Sequence, residues 1–480
     1  MENGLQKKYG LFTAICMVAG IVIGSGVFFK AQTILEKTGG DMPLGILAWI
    51  IGGLIMLSCI LAFATMAGKY EKVNGVVDYA EATVGEKYGY YIGWFMATIY
   101  TPTLTSVLAW LTARYTLVFI TSTFPGVTLA IPVEQGGCVT GPECMALALV
   151  FMCIAYAMNA LSPVIAGKFQ VATTVIKLIP LLLMAVVGIA VGLMSKNHLL
   201  VQNMTAAPIT DAAANGSPLF AAVVATAFAY EGWIIATSIN AELKDAKKNL
   251  PIALIAGSII IIAVYISYYI GVAGGATVEE LINQGATVAF TNVFGTTFGA
   301  ILNLFIAISC MGTLNGLMLG CTRGFYSLAI RGRGPKEDVF NKVDESTNMA
   351  NNSAIVGLLL CGFWFFFFYG SNLAPFPWFG KFGFDSSELP IITIYAMYIP
   401  VFIGFMKKAT DLPALKRFVI PGLALCGSIF MVFAALYSHG LQPYLAAKAN
   451  GTFACPVLFY LIIFAVVMLI GVKFVNGKKK

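Results

Sequence analysis

Glycines break an apolar run at Gly20-Ile-Val-Ile-Gly24-Ser25-Gly26-Val27-Phe28-Phe29, in a stretch otherwise suited to a continuous helix. A second apolar run, about two hundred residues later, is broken at Ala227-Phe228-Ala229-Tyr230-Glu231-Gly232-Trp233. An unbroken helix satisfies its own backbone, so such breaks at bilayer depth are useful only where backbone must face a bound solute or a cavity. At Gly24-Ser25-Gly26 the chain can leave helical geometry at little steric cost. If this segment runs outward, a half-helix starts after the break and aims free N–H groups and its positive dipole end at mid-membrane, where they suit a carboxylate. The same glycines would also serve close helix packing. The second segment runs the other way, so its outer half ends near Phe228 and Ala229 with unpaired carbonyls that suit an ammonium group. Together the breaks complement a zwitterion of the amino acid head-group kind. Gly24, Ser25, Gly26, Phe228, Ala229, Tyr230, Glu231 and Gly232 are the candidate binding residues.

Two ionisable residues join them. Glu231 sits in the second break, and an acid at that depth is a functional candidate by default. Three roles are open to it: contact with a polar or cationic substrate side chain, proton carriage, or fixing the local backbone. Lys177, in Thr173-Thr174-Val-Ile-Lys177-Leu-Ile-Pro180, lies several turns into an apolar segment. It can snorkel to the interface or stand as a fixed or titrating charge at a coupling site. Arg114 reads as a snorkelling or rim residue. Thr101, Thr105, Ser309, Thr313 and Asn315 supply hydroxyl and amide groups that either line a polar path or tie helices together.

The elements that must hold these residues follow from composition. Of 480 residues, 59% are hydrophobic and 11% charged, against roughly a quarter charged in soluble proteins. Segments of about 20 apolar residues are expected near 10–36, 44–68, 88–120, 145–166, 169–194, 217–241, 250–274, 293–330, 353–371, 389–407, 416–437 and 454–475. The chain is therefore expected to be an all-α membrane domain of about twelve spans. The spans divide as five (10–194), five (217–407) and two (416–475), with the broken segments opening each group of five. An odd number of spans per group inverts one group relative to the other, as an inverted repeat requires. Most Lys and Arg fall on the side of the N-terminus, whereas Lys30, Lys37, Lys196, Lys381 and Lys448 are placed opposite. That bias predicts cytoplasmic termini and assigns the net charge of +7 to topology rather than to nucleic acid.

Enzyme chemistry has little to stand on. His198 and His439, the two histidines, are both placed in outer loops, and no HExxH, phosphate-binding loop or nucleophile elbow is present. No metal or cofactor is expected. Cys138 and Cys144 share the outer loop between the third and fourth spans, as a disulfide or as two thiols. A channel, the competing class, would need a continuous hydrated pore with rings of charge or carbonyls, which two offset breaks do not supply.

At Gly20 to Lys30, Phe228 to Trp233, Glu242-Leu-Lys-Asp-Ala-Lys-Lys-Asn-Leu-Pro251, Lys177 to Pro180 and Gly312 to Gly316, the chain resembles the amino acid–polyamine–organocation superfamily. It most resembles bacterial L-type-like transporters such as the serine/threonine exchangers. The resemblance implies the leucine-transporter fold and amino acid transport across the plasma membrane by alternating access. It implies sodium-independent exchange, with proton-coupled symport as the alternative. It also implies that amides at Gly24, Ser25 and Gly26 bind the substrate carboxylate and that carbonyls near Phe228, Ala229 and Glu231 bind its amine. Phe228 would be an aromatic gate, and Lys177 would replace a sodium ion. Many animal L-type relatives carry glycine at the position of Glu231, whereas relatives handling cationic or polar substrates often carry an acid, and some bacterial relatives carry lysine at the position of Leu317. Animal relatives also pair with a glycoprotein through an outer-loop cysteine, but Cys138 and Cys144 do not by themselves imply such a subunit. The expected partners are an amino acid substrate and the lipid bilayer; no signal bears on oligomeric state.

Overall fold

The computed structural model describes residues 9–24, 26–70, 75–124, 126–209 and 217–476, apart from the side chains of residues 163 and 238–242. Ser25 lies outside the described residues. Among them, eleven helices are long and apolar enough to cross a membrane. Spans 1 to 4 are Leu11–Lys37, Met42–Lys69, Glu86–Thr123 and Gly137–Leu161. Spans 5 to 8 are Val164–Met194, Pro218–Thr237, Ala246–Gly275 and Thr296–Ala329. Spans 9 to 11 are Asn351–Leu373, Leu389–Lys408 and Leu415–Ala449. The twelfth segment expected from the sequence is the apolar helix Pro456–Val472, which at 17 residues is shorter than these eleven.

Spans 1 and 6 are both broken. Span 1 consists of Leu11–Val22 and Gly26–Lys37. Span 6 is α-helical over Pro218–Tyr230, extended at Glu231 and left-handed at Gly232 (φ 101°), then continues as a 3₁₀ helix over Trp233–Glu242. Only glycine takes that left-handed conformation without strain. The break falls at Glu231–Gly232, one turn beyond Phe228.

Small residues bring the surrounding helices close. A Cβ on Gly188 would meet Gly271 O at 2.3 Å, and one on Gly192 would meet the Gly274 Cα at 2.4 Å, so spans 5 and 7 touch backbone to backbone. In span 3, Pro102 removes a helix N–H and leaves the Thr98 carbonyl without its ordinary partner. A π-turn over Met96–Tyr100 absorbs the disturbance, and Trp364 Nε1 donates to Thr98 O at 2.8 Å. Span 3 packs along span 8, and span 2 along span 7. The first half of span 1 packs against spans 5 and 7, and its second half against span 6.

The face at which span 1 begins carries a cluster of paired charges. Arg331 pairs with Asp78 and, at 2.9 Å, with Glu81, while Arg333 reaches Glu86 at 2.6 Å. Asp78 and Glu81 belong to the short helix Gly75–Thr83, whose Val76, Val77, Tyr79 and Ala80 are buried. The opposite face holds a vestibule of about 950 Å³. Span 11 runs past the expected limit of 437 to Ala449, which takes His439 out of the loop assigned to it and into the vestibule wall. Lys30 is not at the surface either: it is 3% exposed, because the second half of span 1 dips into the bundle. Cys138 and Cys144 are buried free thiols.

Candidate functional site

The two breaks meet. A Cβ on Gly26 would lie 2.6 Å from Ala229 Cα and 3.1 Å from its Cβ, so the start of the second half-helix of span 1 rests on the end of the first half of span 6. Glycine is required there by proximity, not by torsion. Gly24, Gly26, Phe228, Glu231, Gly232 and Thr313 line one cavity of about 20 Å³, together with Leu104, Leu108 and Leu317. By the same measure a water needs about 10–15 Å³, so an amino acid enters only if the walls part.

Each broken end has a tertiary partner. Lys177 is fully buried, and its Nζ donates to Gly20 O at 2.7 Å and to Ile23 O at 2.5 Å. These are carbonyls at the C-terminal end of helix Leu11–Val22, where the helix dipole favours a cation. Thr313 Oγ1 donates to the same two carbonyls at 3.3 and 3.1 Å and lies 3.4 Å from Lys177 Nζ. Ser309 donates to Gly24 O at 3.2 Å. The Tyr265 hydroxyl of span 7 lies 3.1 Å from Val22 O and 3.0 Å from Ala229 O, joining both breaks through one group. That hydroxyl already engages the Ala229 carbonyl, one of the expected amine acceptors.

Glu231 is 4% exposed. The Tyr100 hydroxyl, brought inward beside the π-turn of span 3, donates to its Oε1, and Oε2 has no side-chain partner. Tyr230 points elsewhere, its hydroxyl on Trp49 O at 3.0 Å and its ring 5.5 Å from that of Trp49. Phe228 lines both the cavity and the vestibule.

The remaining polar candidates spread more widely. Thr101 and Thr105 donate within their own helix, to Met96 O and Thr101 O, and Thr105 also lies 3.2 Å from Cys321 Sγ at the span 3–span 8 contact. Neither lines the cavity. Asn315 belongs to a buried amide cluster with Asn159 and Gln170 that ties span 8 to spans 4 and 5. Arg114 stacks 5.6 Å from the Trp110 ring and 5.9 Å from that of Phe29, towards the vestibule. Sequence reasoning missed Tyr100 and Tyr265. The spacing of Tyr265, Tyr268 and Tyr269 in span 7, three and four residues apart, already marks one hydroxyl-bearing helix face.

Residues 9–472 match the amino acid permease family, and the chain belongs to it. It is 27% identical over 456 residues to the serine/threonine exchanger SteT of Bacillus subtilis, covering 92% of this chain and 94% of that protein. It is 23% identical over 336 residues to the human cystine/glutamate transporter, covering 69% and 63% of the two chains. The structure of MhsT in complex with L-phenylalanine superposes with a TM-score of 0.64 at 13% identity, covering 91% of this chain and 99% of that one. The fold is the leucine-transporter fold, and the family is one of transporters, not enzymes.

Proposed function

We propose that this chain moves amino acids by alternating access, as a sodium-independent exchanger of the plasma membrane with both termini in the cytoplasm. The observation that carries the reading is the contact of the two breaks at Gly26 and Ala229 around a cavity lined by Gly24, Phe228 and Glu231. Free N–H groups at the head of Gly26–Lys37 receive the carboxylate, and carbonyls at the end of Pro218–Tyr230 receive the ammonium group. Phe228 closes over the bound substrate. The Lys177 ammonium takes the carbonyls that a sodium ion would otherwise neutralise, which supports independence from sodium. The kinship with SteT supports exchange and makes small hydroxyl amino acids the first candidates.

The two halves of the fold, 10–194 and 217–407, are read as the inverted repeats that rock about this site. Proton-coupled symport is the second reading, favoured by the burial of Lys177 and Glu231 beside the cavity. Uptake by purified protein in liposomes, with all twenty amino acids tested inside and outside and with independent sodium and pH gradients, decides between them. Exchange predicts uptake that requires internal amino acid and ignores both gradients. Uptake into empty liposomes driven by an inward proton gradient would instead establish symport.

Glu231→Gln keeps an acceptor for Tyr100 but can replace the free oxygen with a donor. We expect the ranking of substrates to change by roughly tenfold or more, since a pocket built to accept a hydrogen bond strongly rejects ligands that cannot donate one. An unchanged ranking across the full panel would leave Glu231 a purely structural role at the break.

A further inference from the structure

Spans 2 and 11 leave a groove of about 380 Å³ between them, lined chiefly by Ile51, Leu54, Leu57, Leu61, Ile420 and Leu423. A Cβ on Gly427 would lie 3.1 Å from Ile55 Cγ2, so the two helices touch there. Cys59 Sγ lies 4.0 Å from Ala424 O and 3.8 Å from Ser428 Oγ, a second contact on the buried side. Leu54 and Leu423 are 57% and 60% exposed, so the groove opens sideways, away from the bundle. Its one hydroxyl, Ser58 Oγ, is engaged by Ile55 O at 2.8 Å. Such walls suit hydrocarbon. From Ile51 to Leu61 the helix rises about 15 Å, half of a hydrocarbon core about 30 Å thick.

The near end of the groove is cationic. Leu61 lies towards Lys69, the last residue of span 2, and Ile420 follows the π-turn Leu415–Val419 that begins span 11. Lys407, Lys408, Lys416 and Arg417 gather there against one acid, Asp411, which Lys69 engages. Lys407 and Lys416 are exposed and pair with no acid among the described residues. Arg417 is fixed beside them, with Nε donating to Met406 O at 2.9 Å and Nη2 lying 3.5 Å from Lys407 O. Topology alone accounts for cations on this face. It does not require an apolar groove of leaflet depth that ends at them.

We infer that this groove is a binding site for an anionic phospholipid of the leaflet on that face. One acyl chain lies between spans 2 and 11, and the phosphate-bearing head group meets Lys407 and Lys416. Each cation near an anionic head group contributes about 1 kcal/mol, roughly fivefold in preference. The inference is independent of the amino acid site.

The test uses the full chain in liposomes that carry phosphatidylglycerol or phosphatidylcholine with a diazirine midway along one acyl chain. Mass spectrometry locates the adducts after photolysis. Phosphatidylglycerol is expected to label residues 51–61 and 420–427 roughly fivefold or more above phosphatidylcholine. Span 9, whose Leu359 and Phe363 are exposed, is expected to show no preference. Leu54→Trp/Leu423→Trp fills the groove and is expected to cut labelling there roughly tenfold while span 9 is unchanged. Lys407→Gln/Lys416→Gln is expected to bring phosphatidylglycerol down to the phosphatidylcholine level, and it decides alone if the tryptophan variant fails to fold.

Equal labelling by the two lipids in the wild-type groove would reduce it to ordinary bilayer contact and overturn the inference. So would a preference that survives the loss of both lysines. Labelling by a photoreactive fatty acid as strong as that by phosphatidylglycerol would overturn the choice of a phospholipid. Protection of the groove from every lipid, with a dimer caught by chemical cross-linking, would give the face to a second copy of the chain instead.

Discussion

Leucine at position 26 is expected to abolish amino acid binding, and alanine there to cost at least tenfold in affinity. The first added carbon of either side chain falls 2.6 Å from Ala229 Cα, and the nearest atoms include the Ala229 backbone rather than the tip of a flexible side chain. Relief requires the half-helix Gly26–Lys37 to move off span 6. That motion pulls the N–H groups of span 1 away from the carbonyls of span 6, the two sets proposed to hold one head group. Displacements near 1 Å at such a site cost on the order of a hundredfold, and leucine demands more room than alanine. Equilibrium binding of radiolabelled substrate to protein shown to be monodisperse by size exclusion measures the effect. Gly362→Ala is the control, because a Cβ there meets nothing within 4 Å. Wild-type affinity in folded Gly26→Leu would remove the carboxylate from this end of span 1.

Lys177→Ala is expected to reduce transport by roughly a hundredfold while leaving most of the protein assembled. Its Nζ is the donor to Gly20 O and Ile23 O, at the end of the helix Leu11–Val22. Losing it leaves those carbonyls to the single hydroxyl of Thr313. A buried acceptor left without its partner costs about 1–3 kcal/mol, a local penalty that the packed bundle can bear. The break cannot bear it as well, because the turn at Ile23–Gly24 is positioned by these bonds and by Ser309. Binding geometry therefore suffers before folding does. Fluorescence-detected size exclusion measures assembly, and liposome uptake over a pH series measures transport. Normal uptake with an unchanged pH profile would return Lys177 to a snorkelling or packing role.

The breaks were legible because a bilayer makes backbone accounting local. A glycine cluster or a carboxylate in an apolar run signals a backbone that needs a partner outside its own helix, and spans 1 and 6 are interrupted where those residues stand. Length and apolar content likewise disclose the spans, since hydrocarbon thickness sets them. The limits were less legible. Span 11 continues through His439 and Lys448 to Ala449 because a helix end may carry polar groups once the bundle or solvent receives them, and hydropathy alone cannot see that.

What the sequence by itself determined is the all-helical spanning architecture, the two interruptions, and the residue types available at each. Only the tertiary structure decided which groups answer the interruptions. Lys177 reaches carbonyls more than 150 positions away, Tyr100 finds Glu231 across 131, and Lys30 finds Glu388 across 358. Tyr265 lies against both breaks at once. These partners follow from the rotation of each helix about its axis and from the glycines that let backbones touch. A span's hydrophobic pattern constrains that rotation little where its faces are alike in being apolar, as in span 9 beyond its first turn. Backbone demand is a local property, written in order along the chain; its satisfaction at bilayer depth comes from whichever side chain packing brings within reach.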